Sequence, residues 1–145
     1  MAKIVISGLE GLEKTMMEMA DIPKDVIAKA LTEMGKVGEM AVKQTGEAYG
    51  VRDPESGVHI LDKAKTKKPV MTDSGGFTEV YFSGSRTRGS TKTANSLIAF
   101  ENEYGNRHQQ ARPFVRQAAA QYGDQIAEPG EKIVGDWFEH RFEEK

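Results

Sequence analysis

The chain has 145 residues, 38% of them hydrophobic and 29% charged, which suits one globular domain over residues 1–145 and excludes a disordered chain. No apolar run approaches the ~20 residues of a bilayer span, the N-terminal "MAKIVISGLEGLEK" is too briefly apolar for a secretory signal, and no membrane partner is expected. With no cysteine there is no disulfide, thiolate metal site or cysteine nucleophile, and a net charge of −2 does not advertise a nucleic-acid binder.

"KIVIS" (3–7) is a short β-prone run, and Ser7 with Glu10 forms a capping-box pattern. Leu9, Leu12, Met16 and Met19 then fall on one helical face. Pro23 belongs at a helix start, so a second helix is expected there, with Asp25 near its positive end. Its stripe is Val26, Ile27, Ala30, Leu31, Met34, Val37, Ala41 and Val42, and Tyr49–Gly50 is a natural stop. Gly35, Gly38 and Gly46 weaken this helix, or let another segment approach it closely.

"VHIL" (58–61) reads as a short strand, "DKAKTKKPV" as a basic exposed loop, "MTDSGG" (71–76) as a turn and "FTEVYF" (77–82) as a strand. "SGSRTRGSTKTANS" (83–96) is Gly/Ser/Thr-rich and basic, which predicts a long mobile loop. "LIAFENEYG" (97–105) predicts a strand with Ile98, Phe100 and Tyr104 on one side and Glu101 and Glu103 on the other. Phe114, Ala118, Tyr122 and Ile126 then have helical spacing, "EPGE" (128–131) interrupts, and Ile133, Val134, Trp137, Phe138 and Phe142 make a last amphipathic helix. The fold class is α+β: a small, mainly antiparallel sheet packed by N- and C-terminal helices, with long loops between strands.

Catalytic constellations are sparse. His59, His108 and His140 belong to no ligand-spaced pair, and Glu101 with Glu103 suits a solvated or subunit-facing edge better than an acid/base pair. No nucleophile elbow, P-loop or dinucleotide fingerprint occurs, so neither an enzyme nor a cofactor is expected. Lys63, Lys65, Lys67 and Lys68 form one basic cluster; Arg86, Arg88 and Lys92 form another. Such clusters are commonly solvated charge, though several copies arrayed by symmetry would meet a phosphate backbone or an acidic partner.

"ARPFVRQA" (111–118) forces a corner. Pro113 biases Arg112 away from helix and suits the first helical position; Phe114 then drops into the core, while Arg112 and Arg116 remain able to grip carboxylates. A strand ending in "EYG", a polar bend and "ARPF-x-R-x-A" opening a helix resemble the minor tail-component family of long-tailed double-stranded-DNA bacteriophages, the head–tail joining or tail-completion proteins of the lambdoid-type neck. The resemblance is specific over residues 97–120 and extends to most of the chain by order of elements. The family usually has proline where Gln117 stands, and a longer unbroken C-terminal helix.

The resemblance implies a virion structural protein of a siphophage or prophage, assembled in the bacterial host cytoplasm into a homo-oligomeric ring, a hexamer, in the neck. Implied partners are the connector or head-closure protein and the tail-tube or tail-terminator protein, with DNA passing through the channel without specific binding. A tail-terminator or head-closure ring of the same neck is the nearest alternative. A nucleic-acid-binding module using the basic segments 63–68 and 86–92 is a more distant one. The expected interface residues are Tyr104, Arg112, Phe114, Arg116, Arg86 and Arg88, with the arginines docking on carboxylates such as Glu101 or Glu103 of the next subunit.

Overall fold

A computed structural model describes residues 4–6, 22–51, 60–73 and 75–143. The strand expected at the N-terminus is β1 (Ile4–Ile6); the helix expected over Leu9–Met19 lies outside the described residues. The fold is α+β, with every strand pairing antiparallel.

The long helix is α1 (Lys24–Ala48), and it starts at Pro23, as the proline requires. Its buried face is Ile27, Ala30, Leu31, Met34, Gly35, Gly38, Ala41, Val42, Thr45 and Gly46. The chain leaves the helix through Gly50 in the left-handed region (φ 73°), and the Val51 N–H reaches back to the Gly46 carbonyl at 2.9 Å. Two of the helix glycines lie against side chains of the layer beneath. A Cβ on Gly35 would overlap the Thr66 methyl, and one on Gly46 would overlap the Leu61 methyls.

After α1 the chain departs from the expected strand at 58–61: residues 58 and 59 are not described, and Ile60–Lys63 form a 3-10 turn whose Ile60 and Leu61 are buried. The basic segment that follows is not a loop. It holds β2 (Ala64–Thr66) and β3 (Val70–Thr72), which pair with successive halves of β4 (Gly75–Phe82). β1 pairs with Thr78–Val80 of the same strand, so β4 is the axis of the sheet. Between β2 and β3 the Thr78 hydroxyl donates to the Lys67 carbonyl at 2.6 Å, holding the interruption closed.

Residues 83–96, expected to be a loop, form a hairpin of β5 (Ser85–Arg88) and β6 (Thr91–Ala94) and the start of a helix. Hydroxylated β-branched residues and a Gly89 with φ 62° at the tip make a ribbon without any apolar face. The expected strand at 97–105 is helix α2 (Asn95–Tyr104). Its buried positions are Asn95, Ala99, Asn102 and Glu103, at helical spacing, and three of the four side chains are polar or charged. Alternation in "LIAFENEY" therefore misdirects, because the core-facing side of this element is not its apolar side.

The last element is α3 (Phe114–Glu143), 30 residues long, running straight through the expected break at "EPGE" with Pro129 inside it. Proline in a helix interior costs about 3 kcal/mol. Burial of Ile126, Gly130 and Val134 against α1 offsets that loss, and a Cβ on Gly130 would overlap the Met34 sulfur, so the helices meet closely beside the proline. α1 packs on both α3 and the sheet. One core gathers Met34, Ala41, Val42, Ile60, Val80, Phe82, Phe114 and Ala118; the other gathers Ile22, Ile27, Leu31 and Val134.

Candidate functional site

The corner between α2 and α3 is built from polar residues whose hydrogen bonds close almost completely. α2 ends at Gly105, whose N–H donates to the Glu101 carbonyl at 2.8 Å and whose φ is 77°. A Cβ there would sit 2.8 Å from the Ala111 backbone nitrogen, so only glycine lets the bend fold back on itself. The Asn106 carboxamide oxygen accepts from the His108 and Gln109 N–H groups, an Asx turn at the tip. The Gln109 side chain returns to the Glu101 carbonyl at 3.1 Å.

The four N–H groups that a helix leaves unpaired at its start are all accounted for in α3. Pro113 precedes the helix and has no N–H to satisfy; its carbonyl accepts from the Gln117 N–H at 3.0 Å, the first turn of α3. The proline thus stands at the cap, one place earlier than expected. The Phe114 N–H donates to the Arg112 carbonyl at 2.7 Å. The next two, on Val115 and Arg116, donate to the two carboxylate oxygens of Glu103, at 2.8 and 3.2 Å. Glu103 is 1% exposed, and a carboxylate at the positive end of a helix is well placed electrostatically.

Arg112 and Arg116 are engaged within the subunit. Arg116 donates from Nε to Glu103 Oε1 at 2.8 Å, while its guanidinium lies 5.2 Å from the Tyr104 ring centroid. Arg112 holds Asn102 twice, from its backbone N–H at 2.6 Å and from its guanidinium at 3.1 Å. Docking of Arg116 on Glu103 of a neighbouring subunit is therefore corrected: the pair forms inside one chain because the buried carboxylate faces the start of α3. Phe114 is fully buried and meets Phe82 edge-on, with centroids 5.8 Å apart, so its role is to seat α3 on the sheet.

Of the residues expected at an interface, the corner brings Tyr104, Arg112, Phe114 and Arg116 together, and only Tyr104 and Arg116 are surface residues. Tyr104 is 53% exposed and stacks with Phe100 at 4.8 Å. Leu97, Phe100 and Tyr104, spaced three and four apart, form an apolar stripe along the outer side of α2. Arg86 and Arg88 lie apart from the corner, on β5; Arg86 Nε donates to the Asn95 side chain at 3.2 Å. Asn95 and Asn102, the buried polar residues that tie the hairpin and the bend to α2, are missed by sequence reasoning. Their positions seven apart with Ala99 between, followed by Gly105, carry a helix signal that the apolar residues mask.

Lys65, Lys67 and Lys68 join Lys36 of α1 around an open cleft of about 450 Å³ that also contains Glu39. Much of that charge is neutralised locally: Lys36 pairs with Glu33 at 2.8 Å and Lys67 with Glu79 at 3.1 Å. His108 and His140 are exposed on the bend and on α3, and His59 lies outside the described residues. Among the described residues no three acidic or histidine side chains converge in a way that would hold a metal ion, and no helix is long and apolar enough to cross a membrane.

Protein-family models, curated proteins and solved structures offer no match to this chain.

Proposed function

We propose that the chain is a non-catalytic structural subunit of a tailed-bacteriophage particle, forming a homo-oligomeric ring at the head–tail interface as a head–tail joining or tail-completion protein. The resemblance to the minor tail-component family supplies the setting; the strand it expects at 97–105 is the helix α2, so the resemblance rests on the bend and the "ARPF-x-R-x-A" motif of residues 111–118. The observation that supports assembly is the stripe of Leu97, Phe100 and Tyr104, 46%, 38% and 53% exposed, on a helix whose other face is bolted down by Asn95, Asn102 and Glu103. Grouped exposed aromatic and aliphatic side chains on a rigid support are what a protein interface buries. The mechanism is associative: identical subunits close a ring, and the DNA passes through it.

The test is assembly in the phage or prophage that carries the gene. Particles lacking the chain are expected to accumulate as filled heads and separate tails. Supplying the intact chain restores joined particles, and supplying Leu97→Asp/Phe100→Asp does not, although that variant folds. Normally joined virions without the chain would end this reading. A tail-terminator or head-closure ring would bury the same stripe; tagging the subunit and locating it by electron microscopy distinguishes these positions in the neck.

A further inference from the structure

We propose that the cleft between α1 and the outer edge of β2 takes an extended acidic peptide segment, added to the sheet as one more strand. This contact goes beyond the assembly reading above and does not depend on it.

β2 is the last strand on its side of the sheet, in the order β1–β4–β2. Its register sets Ala64 opposite Phe82 and Thr66 opposite Val80. The Ser83 N–H donates to the Lys63 carbonyl and the Lys67 N–H to the Glu79 carbonyl, both at 2.8 Å. The hydrogen-bonded pairs therefore fall on the odd-numbered residues, and Ala64 and Thr66 turn their backbone groups away from β4. Ala64 is buried, so Thr66 presents the open part of the edge. Among the described residues nothing pairs with its outward N–H and carbonyl. Such an edge is a template for a further strand.

The edge is held in place from one side only. The Thr66 hydroxyl is shared between the Gly35 carbonyl and the Glu39 carboxylate of α1, each at 3.0 Å. α1 thus forms one wall of the 450 Å³ cleft, and the chain from Lys65 to Pro69 forms the other. An added strand lies about 4.8 Å from its neighbour. The cleft begins at that edge, with Thr66 in its lining.

Charge selects the occupant. Lys36, Lys65, Lys67 and Lys68 line the cleft, and Glu39 is the one acid in the lining. Glu39 is already engaged by the Thr66 hydroxyl and by Lys43 at 3.2 Å. Lys36 and Lys67 pair with Glu33 and Glu79, which lie outside the lining. Lys65 and Lys68 are exposed and, among the described residues, carry no ion pair, so they remain as the uncompensated charges. Lys65 and Lys67 stand on one face of the strand, two residues apart, so carboxylates at every second position of an added strand come alongside them. A second copy of β2 would instead bring these lysines against their own counterparts, which disfavours self-pairing. A nucleic-acid backbone supplies anions but no row of N–H and C=O groups for Thr66.

The probe is a fluorescein-labelled peptide of about eight residues, alternating glutamate and threonine. It is titrated against the full chain at low salt and read by fluorescence anisotropy. Binding is expected, and Lys65→Glu/Lys68→Glu should weaken it at least ~10-fold. Two N-methylated peptides separate strand addition from charge attraction alone. Methyl groups on the glutamate amides in one form, and on the threonine amides in the other, leave the charge intact and block opposite edges of the peptide. One of the two forms should lose at least ~10-fold in affinity and the other should not. Saturating unmodified peptide should also slow exchange of the Thr66 amide at least ~10-fold, without slowing the Lys67 amide that already donates to Glu79. Both of these readings use the wild-type chain, so they stand whatever the lysine substitutions do to folding. Equal behaviour of the two methylated forms, unchanged Thr66 exchange, an affinity indifferent to the lysine variant, or no binding at ~1 mM peptide overturns the proposal. So does Thr66 protection that appears in the chain alone as its concentration rises, because a second copy is then the occupant. If duplex DNA displaces the peptide and leaves Thr66 exchange fast, the cleft is a nucleic-acid surface and the proposal fails. Whether particles join decides the neck reading separately.

Discussion

Glu103 and Arg116 are bonded three times at the start of α3: the buried carboxylate accepts from the Arg116 side chain at 2.8 Å and from its backbone N–H at 3.2 Å, and the Glu103 backbone carbonyl accepts from the guanidinium at 3.5 Å. The same carboxylate takes the Val115 N–H at 2.8 Å, so one side chain of α2 supplies the electrostatic cap of another helix. That arrangement fixes the angle between the two helices and commits an arginine that would otherwise be available to a partner.

The two members of this pair should differ in cost when removed. Glu103→Ala leaves one buried and one part-buried helix N–H group without acceptors and is expected to destabilise the fold by about 2–3 kcal/mol. Arg116→Ala removes a side chain that is 58% exposed while Glu103 keeps its two backbone donors, so the loss should be about 0.5–1 kcal/mol. Urea unfolding of both variants checks the order; an equal or reversed order contradicts the capping role.

Phe114 carries the seating of α3 on the sheet. Phe114→Ala should cost about 3–5 kcal/mol, since it empties a fully buried site beside Phe82. Thermal unfolding reads the loss, and a variant as stable as wild type would show that the ring is not the anchor described.

Glycines inside the helices should respond in opposite directions to alanine. At Gly123 a Cβ meets nothing within 4 Å, so Gly123→Ala is expected to stabilise the fold by about 0.5–1 kcal/mol through helix propensity. At Gly46 a Cβ overlaps the Leu61 side chain, and Gly46→Ala should destabilise by about 1–3 kcal/mol despite the same propensity gain. Parallel unfolding curves for the two variants decide whether packing or propensity governs the Gly46 position.

Asn95 should govern the hairpin rather than the whole fold. Asn95→Ala removes the bonds to Ser83 and Arg86, and amide exchange at β5 and β6 is expected to accelerate more than exchange in α1. Uniform acceleration across the chain would instead place Asn95 in the global core.

The residues that announce themselves in the sequence do so through local chemistry. Pro23 and Gly50 bound α1, and its apolar stripe needs no neighbour to be recognised. Pro113 and Phe114 mark a corner and an anchor, and both are found there. Pro129 is the opposite case: its local preference for ending a helix is real, and contact with α1 through Ile126, Gly130 and Val134 overrides it.

By itself the sequence determined the α+β class, the span of α1, the central strand and the position of the corner, because each follows from periodicity or from backbone restriction within a few residues. Only the tertiary structure decided that 95–104 is a helix, that 85–94 is a hairpin and that Glu103 faces inward. Those outcomes depend on polar side chains finding partners about ten residues or more away, from Asn95 to Ser83, Asn102 to Arg112 and Glu103 to Val115. A buried polar group is stable only when such a partner is present, and no local pattern reveals whether it will be.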